Sequence, residues 1–228
     1  MSLQIAVLDY GMGNRRSVEK ALQHVGVTAT ITNDHERLRA AAGLVVPGVG
    51  AFPKGMQRLR ELGLDELLRE QVAEGKPMLG VCLGLQLAFE RSSELGGAEG
   101  LGIVAGEVRE LLPDRGSRHV PVTGDRSAGG GRLKLPHIGW NEVTLNAPSP
   151  LLEGLPERCA FYHVHSFAPI PAQEQDVLGT SVYGEPFASI VAHGSFYGVQ
   201  FHPEKSSAAG LRLLANFGRI CTRAPVGA

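Results

Sequence analysis

Short apolar runs alternate with amphipathic stretches through the first half of the chain. Gln4-Ile5-Ala6-Val7-Leu8 is branched, apolar and brief, as a buried strand should be. It runs into Asp9-Tyr10-Gly11-Met12-Gly13-Asn14, whose glycines predict a turn and whose Asn14 predicts a cap for a helix over about 15–25. Residues 27–31 and 43–46 predict the second and third strands. After Pro47-Gly48-Val49-Gly50, helical periodicity resumes through Met56, Leu59 and Leu62, then Leu67, Leu68 and Val72. Residues 77–81 predict the fourth buried strand and 85–91 the helix after it. This alternation implies an α/β fold: a mixed, mostly parallel, flavodoxin-like sheet with helices on both faces.

The second half reads differently. Residues 103–112, 138–145, 160–167, 177–182, 190–193 and 197–201 predict strands with short connections, several of them antiparallel. A last helix over about 207–221 carries Leu211, Leu214 and Phe217 on one face. The stretch 113–134, rich in Gly, Arg and Ser, predicts a flexible loop within a single domain spanning 1–228.

Composition narrows the function classes. Hydrophobic residues make up 43% of the 228 and charged ones 20%, ordinary values for a globular protein. Acidic and basic side chains number 23 and 22, so neither nucleic acid nor an anionic membrane is expected as main partner. No apolar run reaches bilayer-spanning length, and no signal-peptide pattern follows Met1. Three widely spaced cysteines, Cys82, Cys159 and Cys221, argue against a disulfide framework and fit a reducing cytoplasm.

Two segments carry chemistry. In Gly80-Val81-Cys82-Leu83-Gly84 an apolar strand meets a Gly-x-Cys-x-Gly turn and then a helix, the thiol form of a nucleophile elbow. The helix start favours a thiolate, and the Leu83 N–H points where an oxyanion would form. In Gln200-Phe201-His202-Pro203-Glu204-Lys205 an extended chain would aim His202 and Glu204 to one side, a general base with its orienting carboxylate. Pro203 restricts His202 to an extended backbone. Pro47-Gly48-Val49-Gly50 offers backbone N–H groups for an oxyanion or a carboxylate.

Other motifs leave alternatives open. Gly11-Met12-Gly13 begins like a dinucleotide fingerprint, with Arg16 where the third glycine should be. His163-Val164-His165 could place two imidazoles toward a metal, or simply pack and hydrogen-bond. Cys82 and the His-Glu pair could also serve a cysteine peptidase, or lie idle in a flavodoxin-like binding domain.

Taken together, five segments resemble class I (triad-type) glutamine amidotransferases. They are residues 9–14, 47–50, 80–86, Leu135-Pro136-His137-Ile138-Gly139-Trp140-Asn141, and 200–206. The second and fourth resemble, more narrowly, the HisH family of glutaminase subunits of imidazole glycerol phosphate synthase. The resemblance spans about 3–219. It implies that Cys82 attacks the side-chain amide of glutamine, with His202 moving protons and Glu204 orienting His202. Val49 and Leu83 would supply oxyanion donors. Gly50, Gln86, Ser166 and Phe167 would hold glutamine, largely through backbone groups. No metal, nucleotide or organic cofactor is implied. The implied partner is a (β/α)8 cyclase subunit, HisF, met by Pro136, Ile138, Trp140 and Lys205. A Trp140 that merely fills the core would give the same pattern.

Overall fold

A computed structural model describes residues 4–112 and 133–223. Most of the Gly-rich stretch expected as a loop therefore lies outside the described residues.

The chain begins with β1 (Ile5–Leu8), α1 (Arg15–His24), β2 (Ala29–Thr32), α2 (His35–Ala40) and β3 (Gly43–Gly48). Then come α3 (Phe52–Glu61), α4 (Leu64–Ala73), β4 (Met78–Cys82) and α5 (Leu83–Leu87). After these follow β5 (Phe89–Ser92), β6 (Ala98–Glu99), β7 (Val104–Glu110), β8 (His137–Leu145), β9 (Arg158–His165) and β10 (Phe167–Pro171). The chain continues through β11 (Val177–Tyr183), β12 (Glu185–His193) and β13 (Phe196–Val199) to α6 (Ser207–Arg223).

Nine strands form one sheet in the order β2-β1-β3-β4-β13-β12-β11-β8-β9. The first five are parallel. From β13 onward every pairing is antiparallel. The return of β13 to lie beside β4 is what brings residues some 120 positions apart to one sheet end.

Both faces of the parallel half are covered, so its strands alternate between two apolar cores rather than between core and water. Ala6, Leu8, Leu44 and Val46 join Met56 and Leu59 of α3 and Leu67 and Leu68 of α4 on one side. Ile5, Val7, Val45, Leu79 and Val81 join Val18 and Leu22 of α1 and Leu213, Leu214 and Phe217 of α6 on the other. Each such large side chain, fully buried, contributes about 1.5–3 kcal/mol relative to exposure.

The structure departs from the sequence-based expectations in instructive places. The helix expected over 85–91 runs only from Leu83 to Leu87; Phe89–Ser92 is a strand, because it pairs with β7 in a second sheet ordered β10-β7-β5-β6. The strand expected over 160–167 divides at Ser166, where β9 ends in the large sheet and β10 begins in the small one. The periodic run through 56–72 is two helices, broken where Gly63 adopts φ 62°. Helix α2 has no long apolar stripe to announce it; it is capped by Asp34, which accepts the Arg37 N–H at 2.9 Å.

Candidate active site

Cys82 ends the central strand β4 with φ 53° and ψ −106°, a conformation that costs a non-glycine residue about 1–3 kcal/mol. The glycines on either side make room for that bend. A Cβ on Gly80 would lie 2.6 Å from the Gly84 carbonyl oxygen, and one on Gly84 would collide with the Val46 carbonyl. The elbow is therefore a steric consequence of Gly-x-Cys-x-Gly. The helix behind it is only five residues long, so the dipole expected there reduces to the N–H groups of one short turn.

Register places the candidate oxyanion donors. Gly48 pairs with Cys82 across β3 and β4, so Val49 and Leu83 are the residues that directly follow this paired position on the two strands. Gly50 has φ 121°. Gly48 is required for a different reason than backbone freedom: a Cβ there would strike the buried Tyr10 hydroxyl. Residues 47–50 pack on the 9–14 turn, with the Val49 side chain against Gly13 and the Met12 side chain against Gly50. The Gly11-Met12-Gly13 segment thus packs against the strand end at 47–50.

His202 follows β13 by a short extended link. Its N–H donates to the Tyr162 carbonyl at 2.9 Å, and its carbonyl accepts the Ser206 hydroxyl at 2.6 Å. Its backbone is extended, with φ −102° and ψ 95°. Glu204 reaches the imidazole by another route than an extended i, i+2 pair: Pro203–Lys205 is one turn of 3₁₀ helix. Nδ1 of His202 lies 2.9 Å from Glu204 Oε1, and both side chains are buried. With Nδ1–H donated to the carboxylate, Nε2 is the ring nitrogen left to meet Cys82, the other side-chain partner of His202. Burial alone would push the imidazole down. Hydrogen bonds to Cys82 and Glu204, and their charges, outweigh it and raise His202 to about 10.

Asn14 is a site residue that its sequence position concealed. It occupies the N-cap position of α1 but makes no side-chain cap, standing at φ 77°. Its amide instead donates to Glu204 Oε1 at 2.5 Å. The side chain does not cap because Asn14 stands in the left-handed region rather than the extended one that aims a cap oxygen at the helix N–H groups, and its amide is turned to the buried carboxylate.

On the opposite side of Cys82, the thiol points to the Val164 carbonyl at 3.8 Å, and Gln200 Nε2 lies 3.7 Å from Sγ. Gln86 Nε2 donates to Gln200 Oε1 at 3.1 Å and to the Phe167 carbonyl at 2.9 Å. Gln86 and Phe167 therefore do meet beside the sulfur, joined by Gln200, a residue that looked like ordinary strand. The Ser166 carbonyl accepts the Leu111 N–H at 2.9 Å.

The histidines offered as metal ligands are spent on hydrogen bonds. Among the described residues no cluster of three or more His, Cys, Asp or Glu is arranged to hold a metal. No helix there is long and apolar enough to cross a membrane. Trp140 is half exposed and Ile138 is 59% exposed, so Trp140 does not fill the core. They project from alternate positions of β8, with Trp140 edge-on to Tyr162 and Lys205 Nζ 6.0 Å from the Tyr162 ring. Pro136 is also exposed.

Residues 6–221 match the family "Glutamine amidotransferase class-I". The imidazole glycerol phosphate synthase subunit HisH of Moorella thermoacetica is 44% identical over 220 residues, covering 96% of each chain. That of Methylococcus capsulatus is 48% identical over 218 residues, covering 94% of this chain and 95% of its own. The chain belongs to the class-I glutamine amidotransferases, in the HisH family.

Solved relatives agree on the fold of this HisH-family chain. A glutamine amidotransferase structure superposes with TM-score 0.66 at 22% identity, covering 96% of this chain and 98% of that one. PurLQS from Thermotoga maritima superposes with TM-score 0.68 at 14% identity, covering 96% and 99%. At those identities the likeness speaks to the fold alone.

Proposed function

We propose that this chain hydrolyses glutamine to glutamate and ammonia through a thioester on Cys82. We further propose that the ammonia goes to a HisF-type (β/α)8 cyclase subunit, which makes imidazole glycerol phosphate and an aminoimidazole carboxamide ribotide in histidine biosynthesis. The setting would be the cytoplasm. The observation that carries the reading is the convergence of Cys82 with His202, Glu204 and Asn14 at one end of the parallel strands.

Sγ attacks the side-chain carbonyl carbon of glutamine. Charge moves to the carbonyl oxygen, where the Val49 and Leu83 N–H groups would receive it. His202 passes a proton to the nitrogen, the C–N bond breaks and ammonia leaves. His202 then takes a proton from water, the hydroxide adds to the thioester carbon, and the C–S bond breaks to release glutamate. Glu204 and Asn14 hold the imidazole in one tautomer throughout. Gly50, Gln86, Ser166 and Phe167 would surround the glutamine. The steps use only these groups and water.

The exposed Pro136, Ile138, Trp140 and Lys205 would form the cyclase-facing ridge. Its support is proximity: Tyr162, which packs on Trp140, holds the His202 N–H through its own carbonyl. The test is ammonia release from glutamine by the chain alone, with a HisF-type cyclase, and with cyclase plus its nucleotide ligand. Turnover should be low in the first and highest in the last. No ammonia under any condition would overturn the glutaminase reading; equal turnover in all three would overturn the partner's role.

A further inference from the structure

Strands β8 and β9 turn polar residues inward where apolar ones would be expected. His137 pairs with His165 across the ladder, and both are buried together with His163. The hydrogen bonds of these rings fix their tautomers. His165 Nδ1 lies 2.9 Å from the Phe167 carbonyl, which can only accept, so Nδ1 carries the proton. His165 Nε2 is then an acceptor, and His137 Nδ1 donates to it at 3.1 Å. His137 Nε2 is left to accept from Asn141 Nδ2 at 3.4 Å, an amide that also donates to the Val182 carbonyl at 2.9 Å. His163 follows the same rule, donating from Nδ1 to the Phe161 carbonyl at 3.1 Å and accepting the Ser189 hydroxyl at 2.9 Å. Burial lowers His137 to about 4. Burial and the neighbouring His137 charge lower His165 to about 3, which suits neutral rings.

The chain of donors continues to the sulfur. The Phe167 carbonyl that accepts from His165 also accepts from Gln86, whose other amide hydrogen goes to Gln200, which contacts Cys82. Residues 165–167 are where the backbone leaves the large sheet for the small one, and the His165 ring staples that crossing.

We propose that His137 and His165 are positioning residues for the glutamine pocket. Neither touches the reacting atoms. Each neutral ring hands one N–H along the series His137, His165, Phe167 carbonyl, and so locks the carbonyl that orients Gln86. The ridge residues Ile138 and Trp140 follow His137 on the same strand, which ties the pocket's shape to the exposed face. This inference rests on the glutaminase reading above.

Two substitutions at His137 separate hydrogen bonding from packing. His137 stacks on Tyr183 with ring centroids 4.1 Å apart and on His163 at 5.1 Å. His137→Phe keeps a ring and removes the donor. His137→Asn removes the ring and keeps an amide N–H near the Nδ1 position. With the cyclase-bound enzyme, His137→Phe should raise the glutamine KM by up to about tenfold, the size of the one hydrogen bond it loses to His165. Its kcat should change less, and His137→Asn should lie closer to wild type. An unchanged KM in His137→Phe, or a larger defect in His137→Asn, would overturn the proposal. Nitrogen-15 spectra of the wild-type imidazoles provide a readout independent of activity and of variant folding. They should show Nδ1–H tautomers at His137 and His165; Nε2–H at either would overturn it. A wild-type complex without glutaminase activity would instead count against the function proposed above, leaving the tautomers to be judged on the spectra.

Discussion

The two halves of the large sheet solve burial in opposite ways. From β2 to β13 the strands are parallel and mostly apolar, and apart from Thr30 of the edge strand β2 the polar groups gather where the strands end. From β12 to β9 the strands are antiparallel, and polar side chains such as Ser189, Ser181, His163 and His165 are buried within them. The first half gains its rigidity from packing, and so can hold Cys82 in a strained conformation. The second gains it from the hydrogen-bond network of its histidines and Ser189, whose geometry depends on protonation state. The buried Ser181 hydroxyl stands outside that network, without a hydrogen-bond partner among the described residues. The chemistry proposed for this chain sits on the first half, and the shape of its pocket depends on the second.

The largest expected effect is confined to the parallel half. Cys82→Ala should lower glutamine hydrolysis about 10⁴-fold or more in the cyclase complex while leaving synthesis from ammonium salt in place. Assays with each nitrogen source check this; loss of both activities would make Cys82 a structural residue. Next comes the ordering of its partners. His202→Ala should impair acylation about tenfold to a hundredfold more than Glu204→Gln, because His202 moves the proton and Glu204 only orients it. Single-turnover acylation measures the two, and an equal defect in a folded Glu204 variant would contradict the assigned roles.

A third change tests whether strain at the elbow depends on close packing. Gly84→Ala places a Cβ against the Val46 carbonyl and should lower unfolding stability by about 1–3 kcal/mol, read from urea denaturation. Stability equal to wild type would show that the elbow has slack.

An effect that shows only as a slope separates the halves by pH. His137 is neutral in the fold down to about pH 4, whereas in the unfolded chain it gains a proton near 6.5. The unfolded state therefore binds more protons in that window, and stability falls as pH drops from about 6.5 toward 4. His137→Phe should remove up to about 1.4 kcal/mol per pH unit of that fall. His202 runs the other way: raised to about 10, its contribution is complete below about 6.5 and is lost as pH rises toward 10. An acid slope unchanged in His137→Phe would contradict the buried neutral ring.

How much was legible in the sequence follows the same division. Apolar runs located all five parallel strands, because burial on both faces leaves few polar interruptions, Thr30 and Thr32 of the edge strand β2 being the exception. Local spacing also exposed Cys82 and the His202-Glu204 pair. Short β5 and β6 were hidden, since Phe89-Glu90-Arg91-Ser92 continues a helical pattern and only its pairing with β7 makes it a strand. Asn14 read as a helix cap because its real acceptor lies 190 residues away. Gln200 read as the end of an apolar strand, and His163 and His165 as either metal ligands or packed rings, since their hydrogen-bond roles exist only through partners elsewhere in the chain.

The central claim, that Cys82 is the thiol that attacks glutamine, has a direct test with internal controls. Burial pushes Cys159 up to about 11 and Cys221 up to about 12, so neither competes as a nucleophile near neutrality. The chain with its cyclase would be treated with a glutamine-analogue electrophile, digested and mapped by mass spectrometry. The expected result is one label per chain, on Cys82 alone, lost in His202→Ala and blocked by glutamine. A label on Cys159 or Cys221, or an unlabelled Cys82 in protein that still hydrolyses glutamine, would contradict it.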